Sequence, residues 1–182
     1  AQRLVALSES NAALAVAIDV GEENDIHPKD KAPVGHRLAL AARHLSYGES
    51  IEHSGPSFSA VRFTDGQAIV SFSHADSGLR SRSEELRGFE LAGQDEVFHP
   101  ARATIMNHTV ELKSQVVPDP RYVRYAWGGF PACDLENGGG LPAVPFRTDT
   151  VKRLTKEAWE AKYPEKLAES EAIQATLDVG AR

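Results

Sequence analysis

Asp25 and His27 lie two residues apart in A-V-A-I-D-V-G-E-E-N-D-I-H-P-K-D-K, residues 15–31. A carboxylate that close to a histidine can orient the imidazole, fix its tautomer and stabilise the imidazolium formed when a proton is taken from a nucleophile. His27 is therefore a general-base candidate, with Asp25 as its acidic partner. Pro28 biases His27 away from helical geometry, so the imidazole belongs on an extended or turn residue. With seven histidines in the chain, a solvated acidic loop whose histidine merely caps or packs is the competing reading, and only geometry separates the two.

Other chemistries have less support. Cys133 is the only cysteine, which excludes an internal disulfide and any C-x-x-C site. Its neighbours, F-P-A-C-D-L-E-N, include no base, and a buried thiol is expected. Glu22, Glu23, Asp25 and His27 could together face a cation, but their spacing matches no recognised metal site, and no metal is expected. N-G-G-G-L at 137–141 permits a tight backbone path. It has neither the lysine of a phosphate loop nor the strand-to-helix setting of a dinucleotide site.

Several elements must position these residues. Residues 15–20, apolar except for Asp19, read as a strand buried in an α/β sheet or, at that length, a buried helix segment. A strand there would place Asp25 and His27 just past its carboxyl end, where open α/β sheets hold ligands. Val34, Leu38, Ala41, Ala42 and Leu45 recur at helical spacing, predicting an amphipathic helix over 34–45 with His36, Arg37 and His44 on its other faces. Beyond Tyr47 come short alternating runs at 60–63, 68–72, 103–105, 109–112 and 122–127, with Asp65-Gly66 as a hairpin turn. They predict an antiparallel β-sandwich-like region, with a break near 46–54. The charged stretch after residue 150 favours helix, interrupted at Pro164.

The chain has 182 residues and a net charge of −6, enough length for one good-sized domain or two small ones. That charge, without a polybasic tract, argues against a nucleic-acid partner. No apolar run approaches the roughly 18–20 residues of a membrane-spanning helix, and the first residues lack signal-peptide regions.

N-D-I-H-P-K-D-K at 24–31, followed by V-G-H-R-L-A at 34–39, resembles the histidine block of the sialate O-acetylesterase family of SGNH-type serine hydrolases. S-G-P-S-F at 54–58, G-F-E-L-A-G-Q-D at 88–95, F-H-P-A-R-A at 98–103, V-R-Y-A-W at 123–127 and N-G-G-G-L-P-A-V-P-F-R-T-D at 137–149 resemble blocks of that family's carboxyl-terminal half. The resemblance covers roughly residues 1–149. It implies the carboxyl-terminal part of an SGNH-type domain over 1–49, a β-rich domain over 50–149 and a helical tail over 150–182. It also implies O-acetyl ester hydrolysis on sialic acid or a related sugar, by a serine and a histidine and without metal or organic cofactor. A secreted, periplasmic or lysosomal-type compartment is compatible with it.

His27 matches the family's histidine. The broader pattern puts the acidic partner three residues before the histidine, where Asn24 stands, so either Asp25 orients His27 or a backbone carbonyl or another group does. S-E-S-N at 8–11 lacks the strand and glycine turn that expose a nucleophile, and it reads as the end of a helix or its loop. A complementary amino-terminal chain or segment carrying the serine is therefore expected, with the strand at 15–20 pairing against it. Arg147, in P-F-R-T-D, is the candidate for binding a substrate carboxylate, against an ion pair as its alternative. The competing function is a carbohydrate-binding or purely structural module beside a degenerate hydrolase, with Tyr122, Tyr125, Trp127 and Phe130 as packing faces.

Overall fold

A computed structural model describes residues 2–150, and the helical tail expected over 150–182 lies outside them from residue 151 onward. Ala1–Asp149 form one compact unit. Two helices come first, α1 (Gln2–Ser8) and α2 (Ala32–Tyr47). Ten strands follow: β1 (Ser57–Thr64), β2 (Gln67–Ser73), β3 (Leu79–Ser81), β4 (Phe89–Ala92), β5 (His99–Pro100), β6 (Arg102–Met106), β7 (Thr109–Lys113), β8 (Tyr122–Tyr125), β9 (Leu135–Asn137) and β10 (Phe146–Arg147). The described chain is thus mostly sheet with two helices.

Two four-stranded antiparallel sheets, ordered β1-β2-β7-β6 and β10-β8-β4-β5, face one core. Alternation aims Ala68, Val70 and Phe72 of β2 and Val110 and Leu112 of β7 inward, and their register pairs Val70 with Val110 and Ala68 with Leu112. The second sheet contributes a row of aromatic rings, with Phe89 and Tyr125 centroids 4.6 Å apart. Phe58 of the first sheet stacks on Phe146 of the second at 4.6 Å, so aromatic contact joins the two layers. Asp65 and Gly66 take φ of 48° and 73°, the left-handed pair that a two-residue hairpin needs.

The third sheet, β3 with β9, carries the glycine-rich turn. Asn137 is wholly buried and satisfied: its amide nitrogen donates to the Ser54 and His74 carbonyls, and its side-chain oxygen accepts the Leu141 N–H. A methyl on Gly138 would lie 2.2 Å from the Ser77 carbonyl oxygen, and one on Gly55 would lie 2.0 Å from that of Pro142. Gly55→Ala or Gly138→Ala is therefore expected to lose about 2–3 kcal/mol in urea unfolding, as overpacking against backbone does. Gly35, on α2 with open space around its Cβ, supplies the control. Gly35→Ala should be stabilising.

Two elements differ from their sequence reading. Residues 15–20 belong to no named strand or helix, and among the described residues no segment pairs with them in a ladder. The helix forms as expected, with Pro33 in its first turn and a left-handed Gly48 closing it, but it is rotated. Arg37 and Ala41 are its buried residues, whereas Leu38 is 56% and Leu45 37% exposed. The cause is polar: Arg37 must reach Asp19, and His44 stacks on His53 with centroids 3.8 Å apart. His53 in turn meets His74 edge-on at 5.4 Å, tying the end of α2 to the end of β2. Burial and the neighbouring His44 push the His53 imidazole below its ordinary range.

The His27 loop as candidate active site

Residues 20–31 leave Asp19 and return at α2, and an ion pair closes them at the root. Arg37 grips Asp19 with two parallel hydrogen bonds, Nη1 to Oδ1 and Nη2 to Oδ2, both 2.7 Å, and Nη1 also donates to the Val16 carbonyl at 2.6 Å. The Asp19 and Arg37 side chains are only 7% and 9% exposed. Burial works to raise the Asp19 pKa, but the hydrogen bonds and charge of Arg37, with the charge of Arg82, outweigh it and hold the carboxyl below its ordinary range.

Local bonds shape the loop itself. Glu22 and Asp25 form an isolated antiparallel bridge, and the Glu22 carboxylate accepts the Lys29 N–H at 3.0 Å. Asp25 Oδ1 accepts the His27 backbone N–H at 2.8 Å, the side-chain turn that aspartate favours. Asp30 accepts the Ala32 N–H at 3.2 Å, which satisfies a free donor at the start of α2. The His27 Nδ1 stands 3.4 Å from the same Asp25 oxygen, an ion-pair distance longer than a full hydrogen bond. The His27 side chain is 83% exposed. Asp25 thus lies on the Nδ1 side, where a triad carboxylate stands relative to its histidine. Nε2 is the atom left to act as base.

Two other segments lean on this loop. An open groove of about 390 Å³ runs between Asp30, Pro33 and His36 on one side and Gly139, Gly140 and Leu141 on the other. Phe130 approaches Gly21, where an added methyl would meet the ring at 3.8 Å. Trp127 and Phe130 are exposed, whereas Tyr125 is buried in the core and its hydroxyl accepts the Leu135 N–H.

Arg147 lies in a separate cluster. Its Nε donates to Asp149 at 2.8 Å, and its guanidinium lies over Trp127 at 5.2 Å. Arg124 pairs with the same Asp149 at 2.7 Å and covers Phe98 at 3.5 Å. Cross-strand register puts Arg147, Arg124 and Glu90 in one row. With Asp149 the four charges balance, so an incoming carboxylate would have to displace one already bound. Burial again works to raise Asp149, but the two guanidinium groups prevail and bring it down to about 2.

Cys133 is buried, and burial pushes its thiol above the ordinary range. Ser8 ends α1 with its hydroxyl donating to the Val5 carbonyl at 3.1 Å. Asp19 and Arg82 are the residues sequence reasoning missed, although a lone carboxylate in an apolar run was itself a signal, because a buried charge needs a partner.

Acid sensitivity follows from these carboxylates. Asp19, Asp134 and Asp149 all titrate below their ordinary values, Asp134 because its hydrogen bonds to Arg87 and Ser83 outweigh burial. Their stabilisation is complete above the unfolded pKa of about 4 and is lost as pH falls through the lower folded values. Melting temperature should therefore hold down to about pH 5 and drop below about pH 4. Asp149→Asn should remove the part of that loss lying between about 4 and about 2.

No family model matches the chain. Curated relatives do. Mouse (Mus musculus) sialate O-acetylesterase is 28% identical over 152 residues, covering 75% of this chain and 28% of its own. The human (Homo sapiens) sialate O-acetylesterase is 26% identical over 151 residues, covering 75% and 29%. Among solved structures, a carbohydrate acetylesterase from Xanthomonas citri is 46% identical with a TM-score of 0.70, covering 72% of this chain and 31% of that one. The chain spans less than a third of the length of each of these proteins. Across three quarters of its length in sequence, and nearly as much in structure, the chain is similar to sialate O-acetylesterases and to a carbohydrate acetylesterase.

Proposed function

We propose that the chain is the histidine-bearing part of a carboxylic ester hydrolase that removes O-acetyl groups from sialic acid or related sugars. The observation that carries this is His27, held by Asp25 on its Nδ1 side and otherwise open. In this reading a serine from an amino-terminal segment attacks the acetyl carbonyl while His27 takes the hydroxyl proton. The tetrahedral adduct collapses, and His27 returns the proton to the departing sugar oxygen. Water then attacks the acetyl-serine by the same route, releasing acetate and regenerating the serine.

Residues 1–49 act in this scheme as the end of an SGNH-type hydrolase domain and 50–149 as its β-rich companion. The unpaired stretch at 15–20 and the outward Leu38, Leu45 and Tyr47 support a covering partner, since apolar surface of that kind favours burial. Reconstitution tests the reading: acetate release from O-acetylated sialic acid should require both this chain and the serine-bearing segment. Equal release by that segment alone would overturn it.

Arg147 in the same proposal receives the substrate carboxylate in exchange for Asp149. Arg147→Ala would then raise KM for acetylated sialic acid and leave simple acetyl esters unaffected. An unchanged KM returns Arg147 to its ion pair.

The exposed Trp127 and Phe130 favour a second reading, a carbohydrate-binding module beside a degenerate hydrolase. Saturable binding of sialylated glycans in a titration, lost in Trp127→Ala and without acetate release in the reconstituted assembly, would select it.

A further inference from the structure

We infer that Arg82 is a positioning residue through which the β-rich region holds the His27 loop in place, an inference that rests on the esterase reading for its catalytic consequence. Arg82 directly follows β3, and its backbone N–H donates to the Asp134 carbonyl at 3.0 Å, extending the β3–β9 ladder. Its side chain leaves that ladder and crosses to the root of the loop. Nη1 donates to Asp19 Oδ2 at 2.8 Å, Nη2 donates to the Cys133 carbonyl at 2.7 Å, and Nε stands 3.9 Å from Glu136 Oε2.

The guanidinium is therefore fixed from the β3–β9 side by two groups and delivers one hydrogen bond to the carboxylate at the start of the loop. Asp19 Oδ2 is shared, because Arg37 reaches it from α2 while Arg82 reaches it from the β-rich region. These two contacts do different work. The Arg37 pair closes residues 16–47 on themselves, so it would survive a displacement of the whole segment. The Arg82 bond refers that segment to the sheets. A planar fork can serve Asp19 and the Cys133 carbonyl together, whereas a lysine ammonium is a point charge without that preset geometry.

Arg80 provides the control, since it too makes an ion pair to Glu136, at 2.7 Å, with Asp19 not among its partners. Amide exchange by mass spectrometry on this chain tests the inference. Arg82→Ala should speed exchange about tenfold across residues 16–47 while leaving β2 and β7 unchanged. Arg80→Ala should leave 16–47 as they were, and Arg82→Lys should fall between. With the serine-bearing segment present, Arg82→Ala should also lower kcat on a simple acetyl ester about ten- to a hundredfold with KM nearly constant, as misplacement of a catalytic group does.

Unchanged exchange in 16–47, or an equal rise in every strand, overturns the positioning role whatever the activity. Full recovery by Arg82→Lys also overturns it, because charge alone would then suffice. Faster exchange in 16–47 with unaltered kcat supports the positioning role and removes His27 from the chemistry.

Discussion

His27→Ala is expected to cut acetate release by the assembled esterase by about a thousandfold or more, with KM changed little. In the proposed mechanism the alanine removes the imidazole that takes the serine proton. Its own side chain is mostly solvent-exposed and supports no packing, so the melting temperature should stay within about a degree of the parent. Asp25→Ala should cost less, because Asp25 stands 3.4 Å from Nδ1 and also serves the backbone N–H of His27. Near-parental turnover by His27→Ala would remove the histidine from the base role.

A second large effect belongs to stability. Asp19→Ala leaves the buried Arg37 guanidinium without its counter-charge and deprives Arg82 of a partner. Breaking a buried pair from one side costs about 3–5 kcal/mol, far more than the pair contributes against an apolar replacement. Urea unfolding should show that loss in the midpoint, whereas Glu49→Ala, which breaks the exposed Arg43 pair, should barely move it. An Asp19→Ala loss as small as that of Glu49→Ala would mean that the cluster does not hold the loop root.

What sequence revealed depended on how local its cause was. The Asp65-Gly66 hairpin and the extent of α2 were legible because turn geometry and helical periodicity are set within a few residues. The packed face of α2 was not. Its orientation is decided by Arg37 reaching Asp19, 18 residues earlier in the chain, and Arg82 meets the same carboxylate across 63 residues. β3, β9 and β10 hold three or two residues each, too few for an alternation to show. The Asp25–His27 pair could be read because its members lie two positions apart in the sequence. The tie from β3 to the loop root had no sequence signal beyond the oddity of Asp19 inside an apolar run.

The most direct test is a crystal structure of this chain together with the serine-bearing segment, read for one distance. The account predicts His27 Nε2 within hydrogen-bond reach of the serine Oγ, about 2.6–3.2 Å or through one water, with Asp25 still on the Nδ1 side. A serine that instead pairs with a histidine of its own segment, leaving His27 facing solvent, would contradict it.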